Sequence, residues 1–503
     1  MSGFLAPNGK ECRMYVVMIA SECAPVAKVG GLADMVFGLC RELEIRGNSV
    51  EIILPKYDCM RYDQIWGLQV TYENLWVPWD GGRIRCTVWF GFVHGRKCFF
   101  IEPHSHQRFF ERGTYYGFPD EAHRFAFFSK AALEFMLATG KRPDVIHTHD
   151  WQSALVPVLL FEIYAALGMG SQRVCHTIHN FRHQGVVGPE LLWATGLNRP
   201  EYYRSHDRMG DEFDPHAVNF TKGALLYANF VTTVSPHHAW EVRHTELCCG
   251  LGHPLHLYQG KFGGIINGID YEMWNPEIDL LIPARFDADS VERKAGNTQA
   301  LRHRLLLRDA ARPIIAYVGR LDTQKGLHLI RHTLFWALAN EAQFVLLGSG
   351  SERGINEQFW HLRHEFNDNP DCHLEIGYDE DLAHLIYAGA EFMIMPSLYE
   401  PCGLTQMIAL RYGTVPIVRA VGGLGDTVFD WDHSPRPREE RNGFVFEHPD
   451  HEGIESALRR AVGLWRGAPE VFRQLQVQGM TCDYSWRLPA QSYLDIYNFI
   501  RHR

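Results

Sequence analysis

The sequence predicts an α/β protein of two doubly wound halves followed by a C-terminal helix. Three observations lead there. Short continuous apolar runs alternate with helical stretches, as buried parallel strands require. The alternation restarts after residue 260, and a V-G-G-L-x-D segment occurs once in each half, at 29–34 and 421–426.

The first half opens with the run 14–20 (MYVVMIA), a loop containing Pro and Gly, a helical pattern over 32–46 and the run 50–54 (VEIIL), which together read as a βαβ unit. Runs at 144–147 and 174–178 continue the series, with helical patterns at 119–139 and 151–167. The second series comprises 262–266, 314–318, 344–347, 373–376, 392–395 and 415–418. Residues 275–297 carry Pro and Asp with little periodicity and read as a surface excursion. The expected organisation is an N-terminal domain over 1–260, a C-terminal domain over 261–485 and a final amphipathic helix over 486–503.

Composition narrows the function. The 503 residues carry 49 Lys+Arg against 59 Asp+Glu, a net charge of -10, which argues against a broad face for nucleic acid or an anionic membrane. The twelve cysteines form no CxxC pair, so neither a zinc ribbon nor a disulfide framework is expected and a reducing compartment fits. The first 13 residues lack the charged start and apolar stretch of a secretory signal, and the longest apolar candidate, 153–167, is interrupted by Glu162. These features predict a cytoplasmic protein.

The residues that can carry chemistry cluster at strand ends. A Gly-rich turn opening a helix lets backbone N–H groups approach an anion, because glycine has no Cβ and the helix N-terminus carries partial positive charge. Two such turns in two halves suggest a ligand held by both. Lys28 precedes the first glycine pair and puts an ammonium beside it; a solvated loop lysine is the simpler reading. Arg320 and Lys325, in GRLDTQKG after the run 314–318, lie where open α/β sheets bind ligands and can neutralise a diphosphate; a salt-bridged loop is the alternative. Glu400 follows the run 392–395 in YEPCGLTQ, where residues 403–406 open a helix; such a carboxylate orients sugar hydroxyls or balances positive charge at an anomeric carbon, or merely complements the helix dipole. His147, Thr148, His149 and Asp150 end one strand and His176 to His179 another. The H-x-H-D pattern admits a metal reading, but no third ligand stands at a recognised spacing, and buried, hydrogen-bonded histidines are the plainer account.

Taken together, KVGGLAD, HTHDW, TIHN, NGID, GRLDTQKG and EPCGLTQ resemble the bacterial glycogen synthase and plant starch synthase family of retaining glucosyltransferases, over residues 14–486. The resemblance implies the GT-B architecture, two Rossmann-like domains facing across a deep cleft with the C-terminal helix crossing back to the first, and transfer of glucose from ADP-glucose to the non-reducing end of an α-1,4-glucan. By resemblance, Lys28, Arg320 and Lys325 are diphosphate-binding cations, with Gly30 and Gly31 as backbone donors. Glu400 matches the catalytic-site carboxylate, His179, Asn180 and Asp150 match sugar-pocket positions, and Asn267 belongs to the matching NGID stretch. Tyr378 lies where an aromatic meets adenine, and Cys402, Gly403, Leu404 and Thr405 complete the donor set. Position 408 is isoleucine where related retaining enzymes carry a second glutamate, which this family also lacks. No metal or cofactor is implied. UDP-glucose as donor, a small acceptor, or a non-catalytic glucan-binding relative are the alternatives; Trp76, Trp79, Tyr115 and Tyr116 are candidates for stacking on an acceptor glucan.

Overall fold

The computed structural model describes residues 13–350 and 352–502. The chain divides into two units. The first comprises residues up to Val234, residues 239–268 and the chain from Trp486 onward; the second comprises Ser235–His238 and Ile269–Ser485.

The first unit is built on a nine-stranded sheet. Its parallel part contains β1 (Tyr15–Ile19), β2 (Ser49–Pro55), β5 (Arg96–Pro103), β6 (Val145–His149), β7 (Arg173–Ile178), β10 (Phe230–Thr233) and β11 (Phe262–Gly264). Strands β3 (Ile65–Trp79) and β4 (Gly82–Val93) extend one edge antiparallel, giving the order β11-β10-β7-β6-β1-β2-β5-β4-β3. A two-strand ribbon, β8 (Val186–Val187) with β9 (Val218–Asn219), stands apart from this sheet. The apolar runs become buried strands because side chains on both faces of a helix-covered parallel sheet need apolar neighbours. Strand 262–264 pairs in parallel with β10 rather than opening the second series. The helical pattern at 151–167 resolves into short turns, Asp150–Ser153 and Leu155–Leu159, then a wide π turn at Leu160–Tyr164.

Helix Gly31–Ile45 packs on this sheet through Leu32, Met35, Val36, Leu39 and Leu43, the spacing of one helical face. The final helix, Arg487–Arg501, buries Tyr493, Leu494, Tyr497 and Ile500 in the same core. Trp486 rests on Gly38, where a Cβ would lie 1.9 Å from the indole Nε1, so the two helices meet only because residue 38 has no side chain.

The second unit has an entirely parallel six-stranded sheet, β14-β13-β12-β15-β16-β17, from β12 (Ile314–Arg320), β13 (Gln343–Ser349), β14 (Cys372–Ile376), β15 (Phe392–Met395), β16 (Val415–Arg419) and β17 (Phe444–Phe446). The excursion at 275–297 is anchored rather than loose. Asp279 is buried, accepting from the Tyr412 hydroxyl (2.6 Å) and lying 2.7 Å from His384 Nδ1, and Trp274 stacks on that imidazole. No helix among the described residues is long and apolar enough to cross a membrane, and no disulfide joins the described cysteines.

Candidate active site

In the parallel part of each sheet the strand order reverses at one place; Lys28, Asp150, Arg320, Lys325 and Glu400 follow the strands that flank it, His179 and Asn180 follow the next strand, and Asn267 and Tyr378 follow β11 and β14 farther out. In the first unit that place lies between β1 and β6, where adjacent connections leave in opposite directions and open a crevice. Here the chain uses buried carboxylates to set its loops. Glu22, just after β1, accepts from Val29 N (2.7 Å) and Gly30 N (3.1 Å) through Oε2, and from the Tyr116 hydroxyl through Oε1 (2.7 Å). Burial pushes its carboxyl up, partly offset by these donors. The Gly30 N–H is therefore engaged within the protein, and Gly31 begins the helix. Lys28 pairs with Asp34 at 2.7 Å.

Asp150 repeats the device at the end of β6. Its backbone is left-handed (φ 53°), and Oδ1 accepts from His179 N (2.6 Å) and Asn180 N (3.3 Å) at the end of β7. Desolvation raises its carboxyl to about 7. Asn180 Oδ1 in turn accepts from Arg182 N (3.0 Å). Asn267 is buried, and its Oδ1 has no hydrogen-bond partner among the described residues.

The strand-end histidines form a packed cluster of tilted rings. His147 Nδ1 lies 2.7 Å from the Tyr497 hydroxyl and Nε2 lies 2.7 Å from Thr177 Oγ1. The His147 and His149 rings are 4.2 Å apart, and His149 Nδ1 lies 3.3 Å from His179 Nε2. Burial holds His147 and His149 well below the ordinary imidazole range and His179 at about 3, so all three are neutral. Neutral rings held by hydroxyls and by each other account for the H-x-H pattern.

The reversal in the second unit lies between β12 and β15. Gly326 (φ 70°) ends the turn after β12, and a Cβ there would lie 2.2 Å from Pro396 O, so the loop after β12 lies directly on the end of β15. That contact brings Lys325 Nζ to 2.6 Å from Glu400 Oε2, which also accepts from Ser397 Oγ (2.9 Å). Asp322 caps the same turn through Gln324 N (2.8 Å), while Arg320 is largely exposed, 3.8 Å from Asp322. Glu400 is buried.

The second V-G-G-L segment serves this carboxylate. A Cβ on Gly422 (φ 45°) would lie 1.9 Å from Glu400 O, and one on Gly423 2.0 Å from Cys402 O; Gly423 N donates to Glu400 O (3.1 Å). These glycines fix the main chain that carries Glu400. Gly403 (φ 73°) turns the chain into helix Thr405–Arg411, which Leu404 precedes, and Gln406 Nε2 donates to the carbonyls of Cys402 and Gly403. Tyr378 is 82% exposed just beyond β14. Of the aromatic candidates for glucan stacking, Trp76 is exposed. Trp79 is instead buried against Phe127, and the hydroxyls of Tyr115 and Tyr116 bond inward, because their loop folds over the first glycine turn. Among the described residues one group has metal-like spacing, Asp430, Asp432 and His433, and Arg460 Nη1 already bonds both carboxylates (2.9 and 3.0 Å).

Sequence reasoning did not single out Glu22, Ser397 or Tyr497. Glu22 acts on residues seven and eight positions ahead and Tyr497 on a residue 350 positions away, separations without a local pattern. Ser397, three residues before Glu400, was within reach as a strand-end hydroxyl.

Residues 15–256 match the family described as the starch synthase catalytic domain, and 302–467 match glycosyl transferases group 1. The chain is 63% identical to glycogen synthase 1 of a Synechococcus strain over 97% of this chain and 100% of the relative, and 61% identical to glycogen synthase 2 of Methylococcus capsulatus over 96% and 100%. The catalytic domain of starch synthase IV from Arabidopsis thaliana, bound to ADP and acarbose, superposes with a TM-score of 0.95 at 44% identity, covering 98% of this chain and 100% of that one. Sucrose-phosphate synthase from Thermosynechococcus elongatus, at 19% identity, 97% and 99% coverage and a TM-score of 0.59, shares the fold.

Proposed function

From the premise that the chain belongs to the bacterial glycogen synthase and plant starch synthase family, a GT-B glycosyltransferase of α-glucan synthesis, we propose how its residues divide the work. The donor is ADP-glucose and the acceptor an α-1,4-glucan or maltooligosaccharide, elongated at its non-reducing end in the cytoplasm. The relative bound to ADP and acarbose, a nucleotide and an oligosaccharide, supports both assignments.

The observation that carries the reading is the Lys325, Glu400 and Ser397 cluster at the reversal point of the parallel sheet. Glu400 is committed to Lys325 and Ser397, so it orients the ammonium and the transferred glucose instead of attacking carbon. Lys325, Arg320, Lys28 and the Gly31 N–H neutralise the diphosphate as it departs, which favours the charged leaving group in the transition state. The acceptor hydroxyl then attacks the face the diphosphate leaves, its proton passing to a diphosphate oxygen, and the α configuration is retained. His179 and Asn180, held by Asp150 through their backbone N–H groups, contact the glucose. Tyr378 stacks on the base, Cys402 to Thr405 line the donor, and Asn267 offers an unfilled buried acceptor.

Incubating the protein with radiolabelled ADP-glucose and maltooligosaccharides tests the proposal. Label released by an exo-acting α-1,4-specific amylase is expected. Label in free glucose alone, or incorporation only from UDP-glucose, contradicts it.

A further inference from the structure

The packed histidines of the first unit bear on which nitrogen of His179 carries its proton. His149 is fully buried, its Nδ1 faces His179 Nε2 at 3.3 Å, and its Nε2 is buried with no hydrogen-bond partner among the described residues. A buried N–H without an acceptor is a rarer and costlier defect than an unfilled lone pair. The His149 proton therefore belongs on Nδ1, and the partner atom must accept. A neutral imidazole that accepts at Nε2 holds its proton on Nδ1.

We propose that His149 is a positioning residue that donates from Nδ1 to His179 Nε2 and so fixes His179 as a neutral imidazole with its single proton on Nδ1, a hydrogen-bond donor to a hydroxyl oxygen of the transferred glucose. The inference rests on the assignment of His179 to the glucose.

Three further observations explain why His149 is fixed. The His147 ring lies against it with centroids 4.2 Å apart and is bound on both nitrogens, by Tyr497 of the final helix and by Thr177 (2.7 Å each). Thr177 Oγ1 is also 2.7 Å from Thr232 Oγ1, so Tyr497, His147, Thr177 and Thr232 form one hydrogen-bonded chain that holds the His147 ring in place. The backbone before Asp150 is tied by Ser153, whose hydroxyl accepts from His149 N (2.7 Å) and donates to His149 O (2.8 Å). Burial keeps all three rings uncharged near neutral pH, so each carries a single ring proton.

The test is long-range proton–nitrogen NMR of the full chain labelled in its histidine imidazoles, with the His179 signals assigned by their loss in His179→Gln, run beside steady-state kinetics. Asparagine places an amide N–H where Nδ1–H of His149 stands; leucine does not. The expected result is Nδ1–H at His179 in the wild type and in His149→Asn. In His149→Leu, mixed tautomers and a kcat lowered by about tenfold to a hundredfold are expected, the loss of one hydrogen bond to the reacting sugar. A wild-type His179 protonated on Nε2 overturns the inference whether or not the leucine variant folds. So does a leucine variant with unchanged spectrum and rate. Expected spectra with an unchanged kcat in His179→Gln would overturn the glucose assignment and leave the tautomer argument standing.

Discussion

Replacing Asp150 by asparagine separates stability from function at one residue. Its carboxyl is held at about 7 by burial against an ordinary 3.8, and each pH unit of such a difference is worth about 1.4 kcal/mol. The folded chain thus binds the proton more tightly than the unfolded chain between those values. Stability supplied by this group is complete below pH 3.8 and is lost as pH rises through 7. Above pH 8 the ionised carboxylate costs about 4 kcal/mol relative to a neutral group of the same shape. Asparagine keeps an Oδ1 to accept from His179 N and Asn180 N, and it tolerates the left-handed backbone at this position better than most residues. Asp150→Asn should therefore be more stable than the wild type. The advantage in denaturant unfolding should grow by about 3 kcal/mol between pH 5 and pH 8, while transfer activity falls. Parallel stability curves across that range, or a variant less stable at pH 8, would show that burial does not dominate this carboxyl.

Three other outcomes follow from the packing and charge. Lys325→Ala should lower kcat by about a hundredfold or more, the scale of losing one preorganised charge at a departing group, and should weaken ADP binding in calorimetry. Gly422→Ala forces a Cβ to 1.9 Å from Glu400 O in a backbone region that favours glycine, so activity should collapse, with a shifted unfolding midpoint reporting the strain. Gly38→Ala drives Trp486 off its seat and should destabilise the first unit by about 1–3 kcal/mol of overpacking, visible as protease cleavage near the final helix in limited digestion.

The parallel strands were legible because buried strands in such sheets are uninterrupted apolar runs; β1, β2, β7 and β12 to β16 lie where those runs predict, whereas the three-residue β17 was too short to be read. The antiparallel hairpins at 65–103 were not read. Strand β3 is exposed along much of its length, with Trp66 81% exposed, so its apolar and polar residues follow no single face. The turns carried the missed signal: Asp80–Gly81 and His94–Gly95 each place two residues at positive φ, as tight hairpins demand. At the candidate site, the strand-end side chains stood out in sequence but their supports did not. Glu22, Gly326 and Gly422 matter through atoms that only folding brings within 3 Å or so.

Acceptor-dependent glucosyl transfer supported by the Lys325 and Glu400 pair is read out by nucleoside diphosphate release from ADP-glucose and from UDP-glucose, with and without glycogen, beside Glu400→Ala. The expected result is ADP release that requires glycogen and is lost in the variant. Release that ignores the acceptor, or that persists undiminished in Glu400→Ala, would contradict it.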